Sequence, residues 1–327
     1  MRKATRLFAT ILALTALAAL ASAQQMISAK SGLIHYLEGR VLLDDKALQA
    51  KYGTFPQMNE QSQLRTEEGR AEVLLAPGVF LRLGESSAVR MVSNKLTDTR
   101  LEVLSGSALV ECAELRKDTP ILLLYRDAKI WLRQDGLYRL NTDPAELRVY
   151  DGEAGVEQAR QPLTVKKGRV LALDGTLALS KFDPKMGDAL NRWARRRAEY
   201  LAMANVSSAR TLWENRRPWR TAGWMWNPYF GMFTYIPYRG TYRSFWGYQY
   251  WSPRTVYIVF QPPQVASSGG GFDAGRSYNP SLGYHTVGQT SAGTSGTVAS
   301  SGASSAASSS SSANMPRESS QGGGRGR

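Results

Sequence analysis

The residue types that most often carry out catalysis or bind metals are scarce in this chain. Its 327 residues include two histidines, His35 and His285, and a single cysteine, Cys112. A disulfide framework, a Cys-rich zinc site and an iron–sulfur cluster built within one chain are therefore excluded. Neither histidine has a second histidine at helical spacing, and the G-x-S-x-G elbow and G-x-x-x-x-G-K-[ST] phosphate loop are absent. We predict no catalytic, cofactor or metal site, and a protein that is not an enzyme.

Each of these three residues has an ordinary structural interpretation. His35 lies on a predicted strand without a second ligand nearby, and His285 lies in a low-complexity tail. Cys112 falls on the apolar side of an alternating segment, and a buried apolar thiol is usually inert. Two carboxylates about 5–10 Å apart leave no local signature in a sequence. A carbohydrate-active enzyme therefore stays open as a third functional class, although no motif favours it.

The stretch from residue 213 to 260 combines aromatic side chains with arginines. Seventeen of its 48 residues are aromatic, and six arginines are interleaved with them. Aromatic rings and guanidinium groups together supply cation–π contacts and anion binding. From this stretch we select a candidate binding surface, which consists of Trp224, Trp226, Tyr229, Trp246, Tyr248, Trp251, Arg239 and Arg243.

Three interpretations of this aromatic stretch remain open. The rings can form a latch that packs over the preceding domain and supplies burial that short strands lack. They can form an exposed platform that stacks on sugars or on a partner protein. They can also lie at the headgroup level of a membrane, where Trp and Tyr are enriched. The solvent exposure of the tryptophans distinguishes these possibilities.

Most of the excess positive charge of the protein lies in one block. The formal net charge is +14, and residues 181–260 hold 13 basic against 4 acidic residues, a net of +9. Residues 24–180 are neutral overall. We expect the basic block to contact an envelope protein or an anionic or glycan component of the cell envelope. Export argues against nucleic acid as a partner.

The N-terminus has the three parts of a secretory signal peptide. Arg2, Lys3 and Arg6 precede an apolar run of 14 residues, and Ala21-Ser22-Ala23 supplies small residues at a cleavage site. The run is shorter than the roughly 20 residues of a membrane-spanning helix. We predict cleavage near Ala23 and a periplasmic or secreted protein without a transmembrane span. An uncleaved N-terminal anchor is the alternative.

The elements that must position these residues begin with a predicted β-domain at residues 24–180. Ala71, Val73 and Leu75 occupy every second position, and comparable alternation recurs in several short segments. Period-two alternation places one side chain in two on a buried face. Glycines interrupt the runs where turns require them. The fold class is therefore mainly β, with short strands in a solenoid- or sandwich-like arrangement. Alternation alone does not separate a sandwich, a barrel and a solenoid.

Three further segments follow the β-domain. An amphipathic basic helix is predicted at 181–205, with Asp183-Pro184 as its start signal. Prolines and glycines divide the aromatic-rich segment at 206–262, so we expect an irregular extension or tight hairpins. The Ser/Gly-rich segment at 263–327 has too few apolar residues to fold, and we expect it to be disordered.

Several segments of the β-domain resemble the FecR domain. The resemblance covers about residues 30–175 and is carried by alternation and glycines, in the segments Leu37-Glu38-Gly39-Arg40-Val41, Leu64–Val73, Ala76–Leu83, Leu104–Ala108, Val149–Gly152 and Lys167-Gly168. It implies a periplasmic β-domain, solenoid-like in the relatives, that passes a signal from an outer-membrane receptor. Those regulators carry a cytoplasmic anti-sigma segment before a membrane helix. Only six residues precede the apolar run here, so we expect that segment to be absent.

Two hypotheses about function follow. The first is a non-enzymatic exported module that binds a protein or the cell envelope through its aromatic and basic block. The alternative is a component of envelope signalling, in which a FecR-type signal is relayed through a separate partner.

Overall fold

The computed structural model describes residues 30–185 and 187–260, all within one compact unit. The predicted signal peptide at 1–23 and the predicted disordered tail at 263–327 lie outside the described residues. Both assignments therefore remain predictions from the sequence.

Short strands dominate the described chain, which confirms the mainly β fold class. The first fifteen in chain order are β1 Leu33–Leu43, β2 Lys46–Ala47, β3 Gln63–Ala76, β4 Val79–Leu83, β5 Ala88–Lys95, β6 Asp98–Ser105, β7 Ser107–Cys112, β8 Ile121–Tyr125, β9 Ala128–Leu132, β10 Gly136–Thr142, β11 Ala145–Asp151, β12 Glu153–Gln158, β13 Gln161–Lys166, β14 Arg169–Ala172 and β15 Leu179–Lys181. The remaining elements are α1 Ala189–Glu214, β16 Gly223–Asn227, β17 Met232–Ile236, β18 Thr241–Arg243, β19 Gln249–Trp251 and α2 Pro253–Val259.

The first fifteen strands belong to one hydrogen-bonded sheet. Its main order is β13-β12-β9-β8-β6-β5-β3-β4-β7-β10-β11-β14-β15, and β1 joins it by pairing with β3 and β2. Strands β6 and β8 run parallel, and the other described pairs are antiparallel. Apolar residues from β1 through β14 form one continuous cluster, so the sheet curls around its own core. Cys112 belongs to this cluster, and burial raises the pKa of its thiol well above the ordinary value.

Two glycines of the FecR-like segments lie opposite each other where β1 crosses β3. Gly39 pairs with Gly69 next to a register shift between the strands. A Cβ on Gly69 would lie 2.5 Å from the carbonyl oxygen of Glu38 and 2.7 Å from the amide nitrogen of Arg40. Only hydrogen fits at this position, so this part of the FecR-like pattern reflects close strand packing.

Strands β4 and β7 and the second half of β3, from Ala71, are buried on both faces, contrary to the single buried face that alternation predicts. Glu72, Arg82 and Glu111 occupy the positions predicted to face solvent, yet their side chains are fully buried. Phe80 and Leu109 are buried on the same side. Alternation indicates only that a strand has two unlike faces. Here helix α1 and the extension that follows it, residues 215–260, cover the polar face of the sheet.

Helix α1 is displaced along the chain from its predicted position at 181–205. Its N-cap is Asp188, whose Oδ1 accepts from the Asn191 amide at 3.0 Å, and the helix runs to Glu214. Asp183 instead accepts from the Lys185 amide in a local turn. The predicted start signal was therefore wrong, because an equally good cap lies five residues further on. The buried face includes Leu190, Trp193, Arg197 and Leu201, whereas Tyr200 is exposed.

The extension after α1 forms tight hairpins, one of the two arrangements expected from its prolines and glycines, and not an irregular segment. Strands β16 and β17 form one hairpin, β18 and β19 form a second, and α2 follows. The β16–β17 turn includes Gly231, whose φ of 61° is in the left-handed region. The side chain of Asn205 in α1 holds both hairpins, since its Nδ2 donates to the Tyr235 carbonyl at 2.8 Å and to the Trp251 carbonyl at 3.1 Å.

Candidate binding groove

A buried ionic network joins the β-domain to helix α1. Arg82 Nε donates to Glu72 Oε2 at 2.8 Å, and Arg82 Nη1 donates to Glu111 Oε2 at 2.6 Å. Arg197 of α1 donates from Nη2 to Glu72 Oε1 at 2.9 Å. His35 Nδ1 lies 3.0 Å from the same Glu72 oxygen. The carboxylate of Glu72 is thus shared among three partners on β1, β4 and α1.

The hydrogen bonds define the state of His35. Its Nε2 accepts from the Phe233 amide at 2.9 Å, so Nδ1 carries the proton and donates to Glu72. Burial lowers the pKa of His35 more than the Glu72 carboxylate raises it, so the pKa lies below 6.5. The neutral imidazole therefore links strand β1 to strand β17 of the extension. As expected from the sequence, His35 has a structural role.

The two carboxylates of the network respond differently to burial. Burial raises the pKa of both, but Arg197 and Arg82 outweigh it at Glu72 and hold that pKa well below 4.5. Glu111 has one guanidinium partner, Arg82, and its pKa stays above 4.5. Glu72 is consequently the ionised centre of the network.

The inner face of the extension completes a second apolar cluster against the sheet. Trp224 lies edge-on to Phe80, with ring centroids 5.3 Å apart, and Tyr250 stacks on Phe80 with centroids 6.0 Å apart. Tyr235 contacts both Trp224 and Tyr250. These rings pack over the β-domain in the manner of a latch.

The eight residues selected from the sequence do not share one surface. Trp224 is buried in the cluster just described and cannot contact a partner. Trp226 is half-buried against Phe55, and Tyr229 is exposed. Trp246 lies over the guanidinium of Arg82. The other four are Tyr248, which donates to Glu199; Trp251, which packs edge-on to Phe260; Arg239, which lies over the ring of Tyr238; and Arg243, which is exposed on β18.

A groove lies where the C-terminal end of α1 meets α2. Its volume is about 990 Å³. Leu212 and Val256 are buried at its floor, and Trp213 stacks on Tyr257 with ring centroids 4.6 Å apart. The full lining is Arg210, Leu212, Trp213, Glu214, Arg216, Arg217, Trp219, Tyr238, Pro253, Arg254, Val256, Tyr257 and Phe260.

Local sequence signals shape both walls of this groove. Helix α1 ends at Asn215, whose side chain donates to the Thr211 carbonyl, and Arg216 then adopts a φ of 50° that turns the chain. Helix α2 begins with Ser252 as its N-cap and Pro253 at its first turn, a favourable start. The two helix ends thereby bring distant parts of the basic block together.

The groove is strongly cationic. Four arginines and one glutamate line it, and within the described residues no carboxylate forms an ion pair with Arg210, Arg216 or Arg254. The indole N–H of Trp219 is buried and has no described acceptor. Guanidinium groups bind phosphate and carboxylate oxygens through paired N–H donors. An anionic ligand would match the charge of the groove and satisfy the indole.

Comparisons with known proteins show little. No family model matches the chain, and no curated protein matches it. Two crystal structures of a protein from Parabacteroides distasonis, provisionally assigned as an anti-sigma factor, are similar at a TM-score of 0.33 and at 14% and 13% identity. The alignments cover 38% of this chain and 61% of that protein, which is less than two thirds of its length. At this TM-score the similarity carries no argument about function, and the FecR resemblance remains a prediction.

No helix within residues 30–185 and 187–260 is long and apolar enough to cross a membrane. In the same ranges, no group of three or more His, Cys, Asp or Glu side chains could hold a metal ion.

The groove lies within the segment that the sequence marks as a binding surface, but its lining residues differ from the eight selected from that segment. Trp213, Trp219, Tyr238, Arg216 and Arg254 lie in the aromatic and arginine stretch, yet their proximity depends on where the helices end. Two signals could have located the groove. They are the continuation of the α1 pattern beyond residue 205 and the Ser252-Pro253 start of α2.

Proposed function

We propose that this protein is a non-enzymatic exported module that binds an anionic component of the cell envelope through the groove between α1 and α2. The observation that carries the proposal is the lining, in which four arginines and one glutamate surround aromatic rings in a space of about 990 Å³. Export is supported by the signal-peptide pattern of residues 1–23.

The chemistry of the groove favours a multiply anionic ligand. The lining arginines Arg210, Arg216 and Arg254 are exposed at the surface, so they can reach ligand oxygens without unfolding the protein. Arg210 lies over the ring of Phe260 at 4.9 Å, a contact that holds its planar guanidinium in place. A positioned guanidinium loses less side-chain entropy on binding an anion.

The test compares two double substitutions in the same basic block. Arg210→Gln with Arg254→Gln removes two groove charges. Arg192→Gln with Arg196→Gln removes two exposed charges from the other end of α1, about 21 Å away for 14 residues of helix. The purified proteins are sedimented with envelope fractions at about 0.05 M and about 0.5 M salt, because salt screens exposed charge contacts.

We expect the groove variant to bind envelope at least about tenfold more weakly than the wild type at low salt. The matched control should stay within about twofold, although its net charge is identical. Equal binding by the two variants would show that the groove is not the contact site.

The FecR-like segments support envelope signalling as a second candidate. They lie on β1, β3 and β4, where β6 meets β7, at the end of β11 and between β13 and β14, all in the sheet and apart from the groove. If this candidate is correct, one receptor protein should co-purify with the chain, and substitutions on the exposed surface of the β-domain should abolish its recovery. The groove variant should then recover the receptor normally.

A further inference from the structure

We infer that the anionic component bound by the groove is the surface of a phospholipid bilayer, in which lipid phosphates contact the arginines while neighbouring apolar residues enter the interface. This inference rests on the proposed function and names its ligand. It follows from what lies beside the groove.

An exposed apolar run lies at the groove where α2 ends, in the last three residues of the helix and its C-cap Phe260. Tyr257, Ile258, Val259 and Phe260 are consecutive, and their exposed fractions are 42%, 60%, 52% and 42%. Pro253 and Val256 of α2 are buried, so the beginning of the helix is anchored while its C-terminal end leaves these four side chains partly in solvent. Exposed apolar surface of this kind is unfavourable in water and marks a contact with another apolar phase.

Aromatic rings at the same site have the partial exposure typical of interfacial residues. Trp213 and Tyr238 line the groove and are each more than a third exposed. Trp and Tyr favour the headgroup level of a bilayer, because one end of each ring system is apolar and the other is polar. Arginines beside them can keep their guanidinium groups among the phosphates while their methylene chains lie against apolar surface.

This combination distinguishes a bilayer from an acidic glycan, which could also satisfy the arginines. Sugars bind proteins by hydrogen bonding and by stacking on aromatic faces. Ile258 and Val259 can do neither, and they are the most exposed of the four apolar residues. A bilayer interface accounts for the basic lining, the rings and the aliphatic pair together.

The experiment measures binding of the purified full-length protein to vesicles of phosphatidylcholine alone and of phosphatidylcholine with about one third phosphatidylglycerol. Ile258→Ser tests the apolar contact, and Leu179→Ser is its matched control, because Leu179 is 48% exposed on β15 of the β-domain. The groove pair Arg210→Gln with Arg254→Gln tests the charge contact. Soluble oligogalacturonate serves as the competing anionic glycan.

We expect the protein to bind the vesicles that contain phosphatidylglycerol and not those of phosphatidylcholine alone. Ile258→Ser should weaken it about tenfold, from burial of most of an aliphatic side chain, and Leu179→Ser less than about twofold. The arginine pair should weaken it about thirtyfold, since each basic residue near an anionic surface contributes a factor of about five.

Three results would overturn the inference. They are equal binding to neutral and anionic vesicles, no effect of Ile258→Ser, and displacement of the protein from envelope by oligogalacturonate without any vesicle binding. If the groove variant loses envelope binding while vesicles are not bound, the proposed function stands and the ligand is not a bilayer. If the groove variant keeps envelope binding, the proposed function itself fails.

Discussion

Glu72 offers a sharp test of how the extension is held on the β-domain. It lies on β3 and accepts from Arg82 at 2.8 Å, from Arg197 at 2.9 Å and from His35 at 3.0 Å, and its side chain has no exposed surface. Glu67 lies on the same strand and pairs with Arg40 at 2.8 Å and Arg65 at 2.9 Å, but its side chain is 32% exposed. The two glutamates thus differ mainly in burial.

The expected cost of Glu72→Gln follows from the partners that it leaves behind. Arg82 keeps its ion pair with Glu111, whereas Arg197 loses its only ion-pair partner among the described residues. Leaving one buried charge without its partner typically costs about 3–5 kcal/mol of unfolding free energy. Glu67→Gln disturbs solvated pairs and should cost less than about 1 kcal/mol.

A second substitution separates the charge effect from loss of packing. Adding Arg197→Met to Glu72→Gln removes the unpaired guanidinium and keeps an apolar chain over the ring of Tyr36, which the guanidinium now contacts at 3.9 Å. We expect the double variant to regain about 1–3 kcal/mol relative to Glu72→Gln alone.

The assay is urea unfolding followed by tryptophan fluorescence, since the extension contains most of the tryptophans of the chain. A Glu72→Gln protein as stable as Glu67→Gln would refute the network as an anchor. Failure of Arg197→Met to restore any stability would show that the loss arises from packing and not from an unpaired charge.

Two further predictions concern His35 and Gly69. Burial lowers the folded pKa of His35 below 6.5 against the opposing effect of Glu72, so the unfolded chain binds a proton that the folded chain rejects. The free energy of unfolding that neutral His35 contributes should be complete above pH 6.5. It should fall as the pH drops toward the lowered pKa, by up to about 1.4 kcal/mol per pH unit. His35→Gln should remove this slope, and identical pH profiles for the variant and the wild type would contradict the assignment. Gly69→Ala should lower the free energy of unfolding by about 1–3 kcal/mol, because the added methyl group would clash with the backbone of Glu38. Gly84→Ala should cost less, since the nearest atom to an added Cβ lies at 3.4 Å. Equal losses of unfolding free energy for the two variants, measured by urea unfolding, would refute the steric argument.

The mainly β fold could be predicted because alternation is local. Ala71, Val73 and Leu75 face the inner core as their spacing indicates, and Val79 and Leu81 join them. The sheet order could not be predicted, since the parallel pairing of β6 with β8 depends on contacts across a long connection. Alternation also could not show that a second layer covers the polar face.

The ionic network contained a signal that period-two alternation hides. Glu72 and Arg82 are direct cross-strand partners in the register of β3 and β4, and Glu111 lies on the neighbouring strand β7. Oppositely charged side chains that are neighbours on one face of a sheet can form ion pairs either in solvent or in the interior, so their presence alone does not predict burial. Arg197, 125 residues from Glu72 in the chain, supplies the second guanidinium that balances the two buried carboxylates, and local alternation cannot show this long-range contact.

The same network fixes where the groove stands relative to the sheet. The floor of the groove contains Leu212 of α1 and Val256 of α2, which share one apolar cluster with Met225 and Ile236 of the first hairpin. Apolar contacts tolerate small shifts. The Glu72 carboxylate, by contrast, keeps its hydrogen bonds only when Arg197 and His35, which accepts from the Phe233 amide, occupy their present positions. Buried ion pairs add little net stability, and their best supported role is to select one arrangement over others. The apolar surface of the sheet alone would allow α1 and β17 to pack in several positions. We therefore interpret the ionic network as the feature that selects one of these positions, and with it the location of the groove.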